Sequence, residues 1–155
     1  MPKIRAGAVS YLNTRPLVFG IEQGLGADRI ELSYDVPSVL ASRMAAGELE
    51  LALLPIIELA RIPNLVVVPG LAIGSLGNCR SVFLVAKKPL DEVRSVALDP
   101  ESRTSNALTR VLFAEAWGGT PTFVDGPRDL TLALEEHDAA VRIGDKALFT
   151  PLPEG

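Results

Sequence analysis

Three loops in this sequence gather side chains able to hold a small anion. Ser10, Tyr11, Asn13, Thr14 and Arg15 supply two hydroxyls, a phenol, an amide and a guanidinium within six residues. All are groups that hydrogen-bond a polar ligand. Ser102-Arg103-Thr104-Ser105 sets three hydroxyls beside a second guanidinium. Charge-assisted bonds from an arginine and the positive end of a following helix would together cradle a carboxylate or a phosphate. Asn78-Cys79-Arg80-Ser81 is the third loop, while Asp145 after Gly144 either caps a helix or reaches into a cleft, and Ser38 stands at another helix start. Each loop taken alone also reads as a cap or a turn, roles that Ser, Asn and Asp fill routinely. Together they offer hydroxyl, amide and arginine groups and few strong bases. That suits the binding of a small polyanion and does not separate binding from turnover.

Other chemistries are excluded by count. Cys79 is the only cysteine and His137 the only histidine, so an intrachain disulfide, a cysteine cage and a multi-histidine metal site are all impossible. Cys79 reads as a small packed side chain, with no histidine near it in sequence to activate it. Glu135-Glu136-His137-Asp138 reads as a solvated face, and His137 is assigned no catalysis. Fifteen basic against nineteen acidic residues give a net charge of −4, which argues against a nucleic-acid partner. No metal and no cofactor are expected. The N-terminus lacks the apolar region of a signal peptide, and no stretch reaches the roughly 20 apolar residues a membrane span needs. The expectation is a soluble, cytoplasmic protein, monomer or homodimer, with a small-molecule substrate and no membrane partner.

The elements that must carry these loops alternate between strand and helix. Strands are expected over residues 3–9, 29–34 and 48–54, and helices over 16–23, 38–46 and from Pro55 through Arg61. Residues 64–68 and 72 onward read as two further extended pieces, broken by Pro69-Gly70. In 48–54, Leu49, Leu51 and Leu53 alternate with Glu48, Glu50 and Ala52 as in a half-buried strand. Residues 81–86 form an apolar strand long enough to pass between lobes, and Lys87-Lys88-Pro89-Leu90 looks like a boundary. A second series follows: strands at 95–98, 120–124 and 139–143, helices at 106–117 and 128–135, and a last helix starting at Lys146. Such β-α-β order predicts an α/β protein with right-handed crossovers and mostly parallel sheets. With 48% apolar residues the chain can fill a core as one domain or as two small lobes.

In several of these stretches the sequence closely resembles the chorismate dehydratases of the futalosine route to menaquinone. The stretches are VSYLNTRPL (9–17), VPSVLASRMAAGELELALLP (36–55), RSVFLVAKKPL (80–90), VALDPESRTSNALTRVL (96–112) and DAAVRIGDKAL (138–148). The resemblance implies a periplasmic-binding-protein type II fold, with a ligand cleft between a first lobe at 1–88 and a second at 89–155. Family members continue well past IGDKAL, so the first lobe is expected to be incomplete and the chain inactive alone.

It further implies a cofactor-independent carbon–oxygen lyase that removes water from chorismate to give 3-[(1-carboxyvinyl)oxy]benzoate. In that role Asn13 and Ser81 would be catalytic. Ser10, Tyr11, Arg15, Ser38, Arg103, Thr104, Ser105 and Asp145 would bind substrate. No convincing general base stands among Ser10, Asn13, Arg15, Ser38, Ser81, Thr104 and Ser105, so a carboxylate of the substrate itself is expected to take the proton. Two other readings are a non-enzymatic small-anion binding protein and the related 1,4-dihydroxy-6-naphthoate synthase, which share the fold.

Overall fold

The computed structural model describes residues 2–149. It divides into two compact units at Ser75/Leu76.

In the first unit, β1 (Ile4–Val9), β2 (Ile30–Asp35) and β3 (Leu51–Ala52) form a parallel sheet in the order β2-β1-β3. Helix α1 (Arg15–Glu22) follows β1 through a 3₁₀ turn at Leu12–Thr14, and α2 (Pro37–Ala45) follows β2. Both helices carry Pro in the first turn, where its missing N–H costs nothing. The central strand reads Ala6-Gly7-Ala8-Val9 and is buried throughout that run. Small residues there let α2 and the chain after it come close. A Cβ built on Gly7 would lie 2.7 Å from methyls of both Leu40 and Leu49. Val9, Leu40 and Leu49 make the core, with Tyr11, Met44 and Leu54 packed against it.

Two expectations fail in this unit. The strand expected at 48–54 pairs as a strand only at Leu51 and Ala52, and Leu51 faces outward at 40% exposed while Leu49 is buried. The extended pieces expected at 64–68 and from 72 form no strand. A strand exists only where its N–H and C=O groups find a partner, and no described residue pairs with this run. Val66, Val67, Val68, Leu71 and Ile73 are all exposed.

In the second unit, β4 (Val82–Ala86), β5 (Ser95–Leu98), β6 (Thr122–Asp125) and β7 (Ala139–Ile143) form a sheet in the order β4-β7-β5-β6. Strands β5, β6 and β7 run parallel, and β4 is antiparallel to β7. The division between units therefore precedes the expected boundary after residue 88. Strand β4, expected to pass between lobes, is hydrogen-bonded into the second sheet from Val82↔Ile143 to Ala86↔Ala139.

Helices α3 (Arg103–Leu112), α4 (Leu130–Glu136) and α5 (Asp145–Phe149) complete this unit. Alternation along β5 and β7 builds two cores. Val96, Leu98, Ala139 and Val141 meet Val93 and Phe113 on one face. Ala97 and Ala140 meet Leu130, Ala133 and Leu134 of α4 on the other. Helix α3 begins at Arg103 rather than Asn106, because the Ser102 hydroxyl accepts from the Ser105 N–H and caps it. Its last turn, Phe113–Trp117, widens to a π-turn. Phe113 meets Trp117 and Phe123 edge-on, at 5.2 and 5.9 Å between ring centroids.

Candidate active site

In a parallel sheet the carboxyl ends of the strands and the following helix starts share one edge, where α/β proteins hold ligands. In the first unit that edge carries Ser10, Tyr11, Asn13 and Arg15 after β1, and Ser38 in the first turn of α2. Val9↔Asp35 is the last pair of the β1–β2 ladder, so both loops leave the sheet at one level.

Ser10 and Asn13 are exposed, Tyr11 is half-buried and Thr14 is buried. The Thr14 N–H donates to the Tyr11 carbonyl at 3.1 Å, closing the turn that turns Asn13 outward. A hollow of about 140 Å³ lies beside it, lined by Ser10, Tyr11, Thr14, Arg15 and Tyr34 among others. The buried Thr14 hydroxyl has no hydrogen-bond partner among the described residues.

The Arg15 guanidinium is engaged within its own helix. Its Nη1 lies 3.1 Å from both carboxylate oxygens of Glu22, whose Oε1 also accepts from the Tyr34 hydroxyl at 2.5 Å. The Tyr34 hydrogen bond, aided by Arg15, holds the Glu22 carboxyl below its ordinary value. The same bond raises the Tyr34 phenol. A substrate carboxylate reaching Arg15 would compete with Glu22 or use the remaining guanidinium N–H groups.

In the second unit, Arg103, Thr104 and Ser105 form the first turn of α3, all half-buried. Ser81 precedes β4, and its carbonyl accepts from the Gly144 N–H at 2.9 Å. Because β4 runs against β7, Ser81 lies at the edge where β7 ends, beside the exposed Asp145 at the start of α5. The unit thus brings Ser81 and the Gly144–Asp145 turn together.

Cys79 is exposed rather than packed, since it follows the run that finds no strand partner. Its Sγ lies 3.3 Å from the Ser81 Oγ, and hydrogen bonding from Ser81 holds the thiol below its ordinary value.

Sequence reasoning missed the residues that fix the second loop. Asp99, 3% exposed, directly follows β5. Its Oδ1 accepts from the Glu101 N–H at 2.9 Å and its Oδ2 from the Ile143 N–H at 3.2 Å. The Asn106 amide reaches back seven residues, accepting from the Asp99 N–H at 3.2 Å and donating to the Asp99 carbonyl at 2.8 Å. Glu101 is paired with Arg128 at 3.3 Å and Lys146 at 3.5 Å.

Arg142, only 2% exposed, donates to the carbonyls of Val141, Pro127 and Asp129 and pins the turn before α4. Burial pulls its guanidinium down, and Asp99 and Asp129 oppose that. Two of these residues carried a signal: Asp99 directly follows an apolar strand and Arg142 interrupts one.

In the 135–138 stretch Glu135 and Glu136 are exposed, as a solvated face requires, whereas His137 and Asp138 are half-buried. The Asp138 carboxylate accepts from Lys88 at 2.8 Å and from the backbone N–H groups of Arg94 and Ser95. Lys88 first, then these amides, hold its carboxyl down to about 2. Among the described residues no group of three or more His, Cys, Asp or Glu could hold a metal ion, and no helix is long and apolar enough to cross a membrane.

Two mostly parallel sheets with polar loops at their strand ends define an α/β protein of the kind that carries its ligands on those loops. The chain belongs to the family described as menaquinone biosynthesis, whose model matches residues 4–155. It is 32% identical over 143 residues to the chorismate dehydratase of Thermus thermophilus, an alignment covering 92% of this chain and 51% of that protein. The chain thus spans about half the length of that curated relative. Among solved structures, protein AF1704 of Archaeoglobus fulgidus superposes with a TM-score of 0.62, over 94% of this chain and 55% of that one. At 19% identity this is a likeness of fold.

Proposed function

We propose that this chain is part of a chorismate dehydratase, which removes water from chorismate to give 3-[(1-carboxyvinyl)oxy]benzoate on the futalosine route to menaquinone. The observation that carries the reading is the 32% identity to a chorismate dehydratase over 92% of this chain. The loop chemistry supports it. Chorismate is a dianion, and the loops are rich in neutral donors and guanidinium groups.

In this reading the enzyme is a hydro-lyase needing no cofactor, with a fold like that of a periplasmic binding protein. Ser10, Tyr11, Arg15 and Ser38 contact substrate from the first lobe. Thr104 and Ser105 hold one carboxylate at the start of α3, with Arg103 and Asp145 beside it. Asn13 and Ser81 face the reacting ring.

The ring proton beside the enol ether goes to a carboxylate of the substrate itself. Its C–H electron pair forms the new ring double bond. The neighbouring C–O bond breaks, and the hydroxyl leaves as water with that proton. Aromatisation drives the step, and the protein supplies geometry and donors to the departing oxygen.

The test is chorismate turnover by the full-length protein. Wild type should form the benzoate product, and Asn13→Ala and Ser81→Ala should each lower kcat/KM by about 100-fold, the scale of losing one positioned donor. Tight retention of unchanged chorismate would instead make it a binding protein. An acidic side chain whose removal abolishes one limb of the pH–rate profile would refute the substrate-base step.

A further inference from the structure

We propose that Asp99 is a positioning residue, which locks the first turn of α3 to the end of β7 so that the Thr104–Ser105 donors keep a fixed aim. The register shows why a carboxylate is needed. Strand β5 pairs with β7 only at Val96↔Ala139 and Ala97↔Ala140, and β5 ends at Leu98. Strand β7 runs on to Ile143, so its last N–H on that side has no strand carbonyl opposite. The Asp99 carboxylate takes the place of the missing strand by accepting from Ile143. Its other oxygen accepts from Glu101, turning the chain toward Ser102, the cap of α3.

A carboxylate only accepts, whereas an amide would turn an NH₂ toward one of these two N–H groups. Asn106, from the second turn of α3, closes the ring with two bonds to the Asp99 backbone. The helix start, the β5 end and the β7 end are thereby one hydrogen-bonded unit. At 3% exposed, with both oxygens taken by backbone donors, Asp99 is not placed to act as a base.

Calling this turn a substrate cradle rests on the dehydratase reading; the lock itself does not. In the full-length protein, Asp99→Asn should speed amide exchange by about tenfold or more at whichever of Glu101 and Ile143 then faces the NH₂, as expected for a lost buried bond. It should also raise KM for chorismate about tenfold while kcat falls less than about threefold. Ser105→Ala should then cost much less in the Asp99→Asn background than in wild type, the sign of coupled residues.

Wild-type exchange and KM in a folded Asp99→Asn protein would overturn the proposal and leave the dehydratase reading intact. A wild-type protein that converts no chorismate would sink that reading alone, and the exchange measurement would still decide the lock. Should Asp99→Asn fail to fold, Asn106→Ala removes two of the ring's bonds and spares the carboxylate. A raised KM with faster exchange at Glu101 would support the lock, and wild-type values for both would overturn it.

Discussion

The chain has two strand-to-helix loops rich in donors, and they are held in opposite ways. The loop after β1 is fastened from outside by the Arg15–Glu22–Tyr34 chain, whose members stand in solvent, and the helix start at Thr14 has no side-chain cap. The loop after β5 is fastened from within by a buried carboxylate, a returning amide and a serine cap. Exposed ion pairs hold geometry weakly because water and salt compete for the same charges. Buried, fully satisfied networks hold it firmly. The first loop is therefore built to adjust, and the second to stay where it is.

The largest test of this contrast is Asp99→Ala. It strands the Glu101 and Ile143 amides in a buried site, and such losses cost about 3 kcal/mol together. Urea denaturation of the full-length protein should show that drop. An effect below about 1 kcal/mol would mean that water replaces the carboxylate, and that the second loop is as open as the first.

A second pair of changes compares the two sheets. A Cβ on Gly126 would lie 2.6 Å from the Ala97 Cβ and 3.3 Å from its Cα, against backbone that cannot give way. A Cβ on Gly7 would press on the ends of two leucine side chains at 2.7 Å, with the Ala52 Cβ farther off at 3.4 Å. Gly126→Ala should cost about 2–3 kcal/mol and Gly7→Ala about 1–2, by the usual scale of overpacking. Thermal melts of both variants check the order. A reversal would mean that the first unit is the more rigid.

Much of this was legible in the sequence, and the misses share a cause. Regular elements with their own period and breaks, such as α1 between Pro16 and Gly24 or β7 with its Ala-Ala-Val run, stand where the pattern puts them. So does the order of strand and helix that makes the sheets mostly parallel. The failures lie where a long-range partner decides. Residues 64–68 have strand composition and find no strand partner among the described residues, and β4 belongs to the second sheet only because it pairs with β7, more than fifty residues on. The candidate site divides in the same way. Its donors could be read from residue types, whereas the backbone groups that Asp99 and Arg142 capture, such as the Ile143 N–H and the Pro127 carbonyl, are fixed only by the fold.

A third prediction is a pH effect on the second unit. Asp138 has its carboxyl lowered from 3.8 to about 2, so its contribution is complete above the ordinary carboxylate range and is lost as pH falls toward 2. Acid unfolding followed by tryptophan fluorescence should show that loss, since Trp117 packs against the core of this unit. Asp138→Asn should lower stability at neutral pH and flatten the curve between about pH 4 and pH 2. An unchanged acid limb would mean that Lys88 and the two amides hold Asp138 no better in the folded state than water does.

The smallest effect is expected at the outside fastening of the first loop. Tyr34→Phe removes the hydroxyl that lowers Glu22, so the Glu22 carboxyl should titrate closer to its ordinary value, as followed by carbon NMR of its side chain. In wild type, the Glu22 contribution is present above its ordinary range and fades as pH falls through the lowered value. The Tyr34 contribution runs the other way: it is present below the ordinary phenol range and fades as pH rises through the raised value. Because the cluster stands in solvent, the melting temperature should barely move, and high salt should erase the difference that remains. A clear loss of stability that persists in high salt would place this network alongside the one around Asp99. The two loops would then be held in the same way, and the contrast between an adjustable and a fixed loop would fail.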